Sequence, residues 1–275
     1  MRVTNLFKAG CFLQAKSETL WHKERTVRRL WKRRRDNKAM ITIRRSEERG
    51  HAERGWLNTY HTFSFANYND PAHMGFRALR VLNDDRIAAG RGFGAHAHRD
   101  MEILSYVLEG NLAHKDSTGE QRIVGPNTIQ AMSAGTGVVH SEFNASTSEP
   151  VHFLQMWIVP STEDLEPSYQ EITFAPAEKQ GRFRLLAAPQ ERANDQAAVI
   201  HQDASVYAAV LDSGETVKQA LAPERHAWIQ VARGSVLLNG QLLKEGDGAS
   251  LSGETEFALT GQHPEGSEIL LFDLA

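Results

Sequence analysis

Short apolar runs separated by turn residues dominate the chain from residue 41 onward. "FRALRVL", "MEILSYVLEG", "NTIQAMSAG" and "HFLQMWIVP" each have the length of one strand. Asn83-Asp84-Asp85 and Gly125-Pro126-Asn127 carry turn chemistry between them. No long stretch of helical periodicity interrupts this cadence, so the pattern predicts an all-β sandwich or barrel. Residues 161–205 are more polar and hold Pro160's successors Pro167, Pro176 and Pro189, as a connection between halves would. The strand cadence then resumes in "AWIQVARGSVLLNGQLLKEGDGASLSGETEFALTG".

The halves resemble one another. "YVLEGNLA" (106–113) parallels "QVARGSVL" (230–237), and "VGPNTIQAMSAG" parallels "EGDGASLSG". One barrel unit used twice is therefore expected: an N-terminal barrel over 40–160, a connection and start of the second barrel over 161–205, and a C-terminal barrel over 206–275.

Residues 1–39 differ in kind. They hold 12 Lys/Arg against 3 Asp/Glu, whereas residues 40–275 hold 19 against 31. Leu20, Val27, Leu30 and Trp31 allow a basic amphipathic helix over 17–35. The preferred reading is a disordered appendage, or sequence read in upstream of a natural start at Met40. The acidic body argues against a phosphate-backbone partner. No unbroken apolar run is long enough to span a membrane, and the single cysteine, Cys11, excludes an internal disulfide, so a cytoplasmic protein is expected.

Candidate chemistry sits in "GRGFGAHAHRDMEILSYVLEG" (90–110). Residues two apart on a strand share a face, so His96 and His98 project together. "SAGTGVVHSEFN" (133–144) sets His140 and Glu142 at the same spacing, with Gly135 and Gly137 before them to turn the chain at a barrel rim. An isolated His-x-His pair is more often surface or packing detail. Two such pairs on nearby strands can place four donors around a divalent first-row metal. Glu102 shares strand parity with the first pair, which leaves it open as the carboxylate ligand, as a base, or as an acceptor orienting a ligand imidazole. His61, His73 and His114 have no partner at ligand spacing and are read as structural or exposed.

The segments "G-RGFGA-HAH-RDM-E" and "SAGTGVVHSEFN" fit the two cupin motifs. "WLNTYHTFSF", "HAHRDMEILSYVLEGNLAHKDS" and "SAGTGVVHSE" resemble the pirin family of two-domain cupins, particularly its bacterial quercetin 2,3-dioxygenase-like members. The resemblance runs from about residue 41 to the end, densely through 55–160. It implies two packed jelly-roll-type cupin barrels, and a metal held by His96, His98, His140 and Glu142. It also implies a dioxygenase that opens the heterocyclic ring of flavonols such as quercetin with loss of carbon monoxide. Dioxygen is then co-substrate, and Glu142 or Glu102 accepts the proton of the substrate's 3-hydroxyl.

Fe2+ is the first expectation for the ion, with Zn, Co, Ni, Cu or Mn as alternatives. Three imidazoles and one carboxylate on M2+ leave a local charge of about +1, which suits an anionic oxygen ligand. Phe93, Phe143, Phe153, Met156 and Trp157 are available to line an aromatic cavity or to pack the core. In the second half, Ala220 and Ala222 fall opposite His96 and His98, and His226 and His263 are isolated, so no metal is expected there. A monomer is expected, since two barrels in one chain can pack on each other. The family's alternative is a non-enzymatic, metal-dependent partner of regulatory proteins.

Overall fold

A computed structural model describes residues 40–275; the basic segment 1–39, with the helix considered over 17–35, lies outside the described residues. Four antiparallel-rich sheets make two barrels. In the N-terminal barrel, a seven-stranded sheet runs in the order Ser168–Thr173, Thr128–Ser133, Glu102–Glu109, Val151–Ile158, Leu79–Ile87, Leu57–His61, Gly50–Glu53. A four-stranded sheet closes it, in the order Gly92–His98, Val138–Asn144, Leu112–Asp116, Gln121–Val124. The C-terminal barrel repeats the plan with seven and four strands. Helical structure among the described residues is confined to two 3-10 turns and the short helix Gln190–Ala193. The fold is all-β with two barrels, as the strand cadence and the internal echo indicated.

The sheets do not follow chain order strictly. The strand Met40–Arg44 pairs antiparallel with Gly248–Ser252 and so completes the C-terminal large sheet. Conversely, Ser168–Thr173 pairs with Thr128–Ser133 and extends the N-terminal one. Ile41 and Ile43 pack on the C-terminal core, which explains the attachment: their apolar side chains find cover there.

The outer faces of the two large sheets bury one another. Leu104, Tyr106 and Leu154 of the first meet Val206, Trp228, Leu270 and Phe272 of the second in a single apolar cluster. Within it Trp228 packs against Phe63, ring centroids 4.9 Å apart. The polar trio Lys179, Glu268 and Tyr106 is closed there too: the Lys179 ammonium donates to Glu268 at 2.5 Å and to the Tyr106 hydroxyl at 2.9 Å.

The two barrel interiors diverge. The C-terminal interior is one continuous apolar cluster that includes Leu211, Ile229, Val231, Val236, Phe257 and Leu271. The N-terminal interior holds two separate clusters, one around Leu57, Ile87, Val107, Leu112 and Phe153, the other around Ile103, Met132 and Val138. What separates them is a row of polar residues, each the cross-strand partner of the next: His61, Asn83, Gln155, Ser105 and Gln130. A polar layer through a barrel core is costly unless each member is hydrogen-bonded. His61 and Asn83 bond each other, and the partners of Gln155, Ser105 and Gln130 lie in the facing sheet.

Candidate metal centre

His96 and His98 sit on the edge strand of the small sheet, and His140 and Glu142 on its neighbour. Alternation puts His96 and His98 half inward while Ala95, Ala97 and Arg99 are exposed; His140 and Glu142 are buried. The strands run antiparallel with His140 directly opposite His96, and a register shift lies between His140 and Glu142. That irregularity brings the strands so close that a Cβ on Gly92 would collide with the Glu142 carbonyl oxygen. At the rim, Gly135 takes φ +44°, and a Cβ there would collide with the Leu165 carbonyl.

The three imidazoles converge. Ring centroids of His96, His98 and His140 are 4.4 to 4.8 Å apart, and His140 Nε2 lies 3.0 Å from His96 Nε2. His96 Nδ1 lies 2.8 Å from the Gly94 carbonyl, to which it donates, and that bond assigns Nε2 the lone pair. His140 Nδ1 is buried without a partner. Glu142 Oε2 is 4.0 Å from His140 Nε2 and accepts from Gln155 Nε2 at 2.8 Å, while Ser105 Oγ donates to its other oxygen at 3.4 Å.

Electrostatics hold these groups ready for a cation. Burial, then His96, pushes His98 down to about 4. Burial and the neighbouring His96, His98 and His114 push His140 down to about 3. Burial raises the Glu142 carboxyl, against the hydrogen bond from Gln155. Neutral imidazoles with converging lone pairs, and a buried carboxyl without a cation, fit a divalent metal. The nitrogen separation agrees with adjacent ligands bound at about 2.0–2.1 Å each.

His114 joins this group unexpectedly. Leu112–Asp116 flanks the His140 strand, with His114 opposite Glu142 in register. His114 is buried and its ring centroid lies 5.3 Å from that of His140. Both its nitrogens are engaged, Nε2 with Asp116 at 3.0 Å and Nδ1 with Gln130 at 3.1 Å. So positioned, it flanks the centre and offers no free lone pair to it.

The polar row now has its purpose: Gln155 and Ser105 hold Glu142, and Gln130 holds His114. None of these was singled out from sequence, although each is a lone polar residue midway along an apolar strand, which is the available signal. Replacing Gln155 by Leu leaves the buried Glu142 carboxylate short of a donor. Divalent-metal affinity measured by titration calorimetry is expected to fall about 10–100-fold.

Glu102 lies elsewhere. Its strand parity with His98 is lost because Asp100 adopts φ +46° and turns the chain into the other sheet. Glu102 then shares a face with Leu104 and Tyr106 toward the second barrel. It accepts from Ser133 at 2.6 Å and pairs with His201 at 3.0 Å. The structure does not bring it to the histidines, and the imidazole it orients is His201. His61 is buried with Nδ1 on Asn83 at 2.9 Å, and His73 pairs with Asp70.

A cavity of about 400 Å3 opens beside His96, His98 and Glu142, walled by Trp56, Phe65, Phe93 and Trp157. The indole of Trp157 meets the His98 ring edge-on at 4.9 Å, and its Nε1 is buried without a partner. Of the aromatic candidates, Phe93 and Trp157 line this space. Phe153 fills the barrel core, Met156 the inter-barrel core, and Phe143 is exposed on the small sheet's outer face.

Fold and site together define a two-barrel cupin with a three-histidine, one-glutamate constellation in its N-terminal barrel. Residues 42–158 match the pirin family, and 185–274 match the family described as the quercetinase C-terminal cupin domain. The chain belongs to the pirin family. It is 46% identical over 235 residues to quercetin 2,3-dioxygenase of Escherichia coli K12, covering 86% of this chain and 99% of that protein. The crystal structure of YhhW from E. coli superposes with a TM-score of 0.81 at 45% identity, covering 86% of this chain and 98% of that one. The structure of the bacterial pirin YhhW in complex with nickel(II) gives 0.80 at 46%, covering 86% and 99%.

Proposed function

We propose that this chain is a metal-dependent dioxygenase that opens the heterocyclic ring of flavonols such as quercetin, releasing carbon monoxide, with His96, His98, His140 and Glu142 holding one divalent ion. The observation that carries this reading is the convergence of three imidazoles and a buried carboxyl on the wall of an aromatic-lined cavity. The relative named quercetin 2,3-dioxygenase supports it. So does the nickel complex of the pirin from E. coli, for a divalent ion. Fe2+ is our first choice, on the general suitability of such ligand sets for oxygen chemistry.

When bound, the ion supplies Lewis acidity toward the substrate's oxygen and a site for dioxygen. The chain does the rest. Trp56, Phe93 and Trp157 bind flat aromatic rings by apolar and edge contacts. Glu142, held by Gln155 and Ser105, accepts the proton of the 3-hydroxyl on a carboxylate oxygen. The barrel wall excludes water from the opened ring system. Glu102, engaged by Ser133 and His201 outside the cavity, takes no part. The protein acts as a monomer in the cytoplasm, a reading supported by its single cysteine and by the mutual burial of the large sheets. Among the described residues no helix is long and apolar enough to cross a membrane.

The test is oxygen-dependent loss of the flavonol absorption band by metal-loaded protein. Glu142→Gln is expected to lower kcat/KM by at least about 100-fold, and His96→Ala by more. Equal turnover by chelated protein would overturn the proposal.

A further inference from the structure

Asp84 and Asp85 are neighbours on Leu79–Ile87, and the fold treats them oppositely. Asp84 faces outward, where Arg49, Arg86 and His152 all pair with it. Asp85 faces the cavity at 2% exposure, and among the described residues no Lys, Arg or His pairs with it. Its cross-strand partner is Thr59, also buried and also on the cavity wall. The Thr59 hydroxyl leans toward the carboxyl, yet Oγ1 makes no hydrogen bond of sound geometry. Two polar groups thus stand unsatisfied side by side inside a barrel.

Such groups are costly to bury, and a fold keeps them where a ligand completes them. Of the other buried polar side chains of that wall, Asn83 holds His61 and Gln155 holds Glu142, while Arg54 lines the cavity from an exposed position. A ligand group that donates to the carboxyl and accepts from Thr59 would complete both. A phenolic hydroxyl does this, and it is the polar group that an aromatic substrate in this cavity carries.

We infer that Asp85 and Thr59 form a second polar subsite of the cavity, recognising a phenolic hydroxyl of the substrate other than the one that reacts. The preferred substrates are then polyhydroxylated flavonols, in preference to flavonols that carry the reacting hydroxyl alone. This rests on the flavonol reading above and adds a specificity determinant to it. Apolar walls alone discriminate weakly against a missing hydroxyl, whereas a dedicated polar pair is left unsatisfied by it.

Anaerobic binding of quercetin and of 3-hydroxyflavone to the nickel-loaded full chain, followed by tryptophan fluorescence, tests it. The wild type is expected to favour quercetin at least about tenfold. In Asp85→Leu the ratio is expected to fall toward one, and in Thr59→Val by at least about threefold; the near-isosteric Thr59→Val decides the matter if Asp85→Leu fails to fold. A wild type without preference, or a ratio unchanged in the folded variants, overturns the subsite while leaving the flavonol reading intact. Failure of the wild type to bind either compound overturns the flavonol reading and the subsite together.

Discussion

Protein carrying His140→Ala is expected to emerge from metal loading and gel filtration without its ion, while the wild type retains about one per chain. His140 is the residue on which the centre pivots. It is buried, its Nε2 lies 3.0 Å from that of His96, and it sits between the His96–His98 pair and Glu142. Losing an outer partner of a ligand costs about 10–100-fold in affinity, and losing a ligand imidazole costs more. The remaining His96 and His98 share one edge strand, and with Glu142 they supply only three of the four donors. Flavonol turnover is expected to fall by at least about 1000-fold, in proportion to metal content. Strand content by circular dichroism should be unchanged, because the His140 ring completes no apolar cluster. Retention of a full equivalent of metal by folded His140→Ala protein would contradict the assignment.

The second large effect is on stability, and its sign is opposite to that of most core substitutions. Burial, opposed by Thr59 and joined by the charges of Asp84 and Glu142, pushes Asp85 from its ordinary 3.8 up to about 7. A carboxyl whose folded pKa exceeds its unfolded value binds more protons when folded. Stability therefore falls as pH rises from about 4 to about 7, and the penalty is complete above that. It amounts to at most about 4 kcal/mol. Asp85→Asn removes it. In chelated protein, the variant is expected to be more stable than wild type at pH 8, by up to that amount in denaturant titration, with the gain vanishing below about pH 4. A gain independent of pH, or none at pH 8, would show that the carboxyl is compensated. Together with the subsite role of Asp85, this is a trade of stability for function.

Much of the fold was legible because strand periodicity is local. The turn Gly125-Pro126-Asn127 does bound two strands, and the echo between residues 106–113 and 230–237 announced the repeat. Asn83-Asp84-Asp85, read as a turn, instead lies within the strand Leu79–Ile87, because each of the three is paired on both sides in the sheet, which overrides their turn propensity. The placement of His96 and His98 on one face needed only the two-residue period. What stayed hidden depends on non-local pairing. Nothing within Met40–Arg44 says that its partner is Gly248–Ser252. His114 meets Glu142 only through the register of two strands nearly thirty positions apart, and the row from His61 to Gln130 is a property of five strands at once. Glu102 shows the local limit: counting by twos from His98 fails because one left-handed residue, Asp100, intervenes. Ser105, Gln130 and Gln155 were visible as polar interruptions of apolar strands, but their shared layer was not.

X-ray absorption at the metal edge of the nickel-loaded protein tests the central assignment most directly. Imidazole scattering from three histidines with one carboxylate oxygen at bonding distance is expected, with loss of one imidazole contribution in any residual metal bound by His96→Ala. A first shell of oxygen alone, or one unchanged by that substitution, would place the ion somewhere other than among His96, His98, His140 and Glu142.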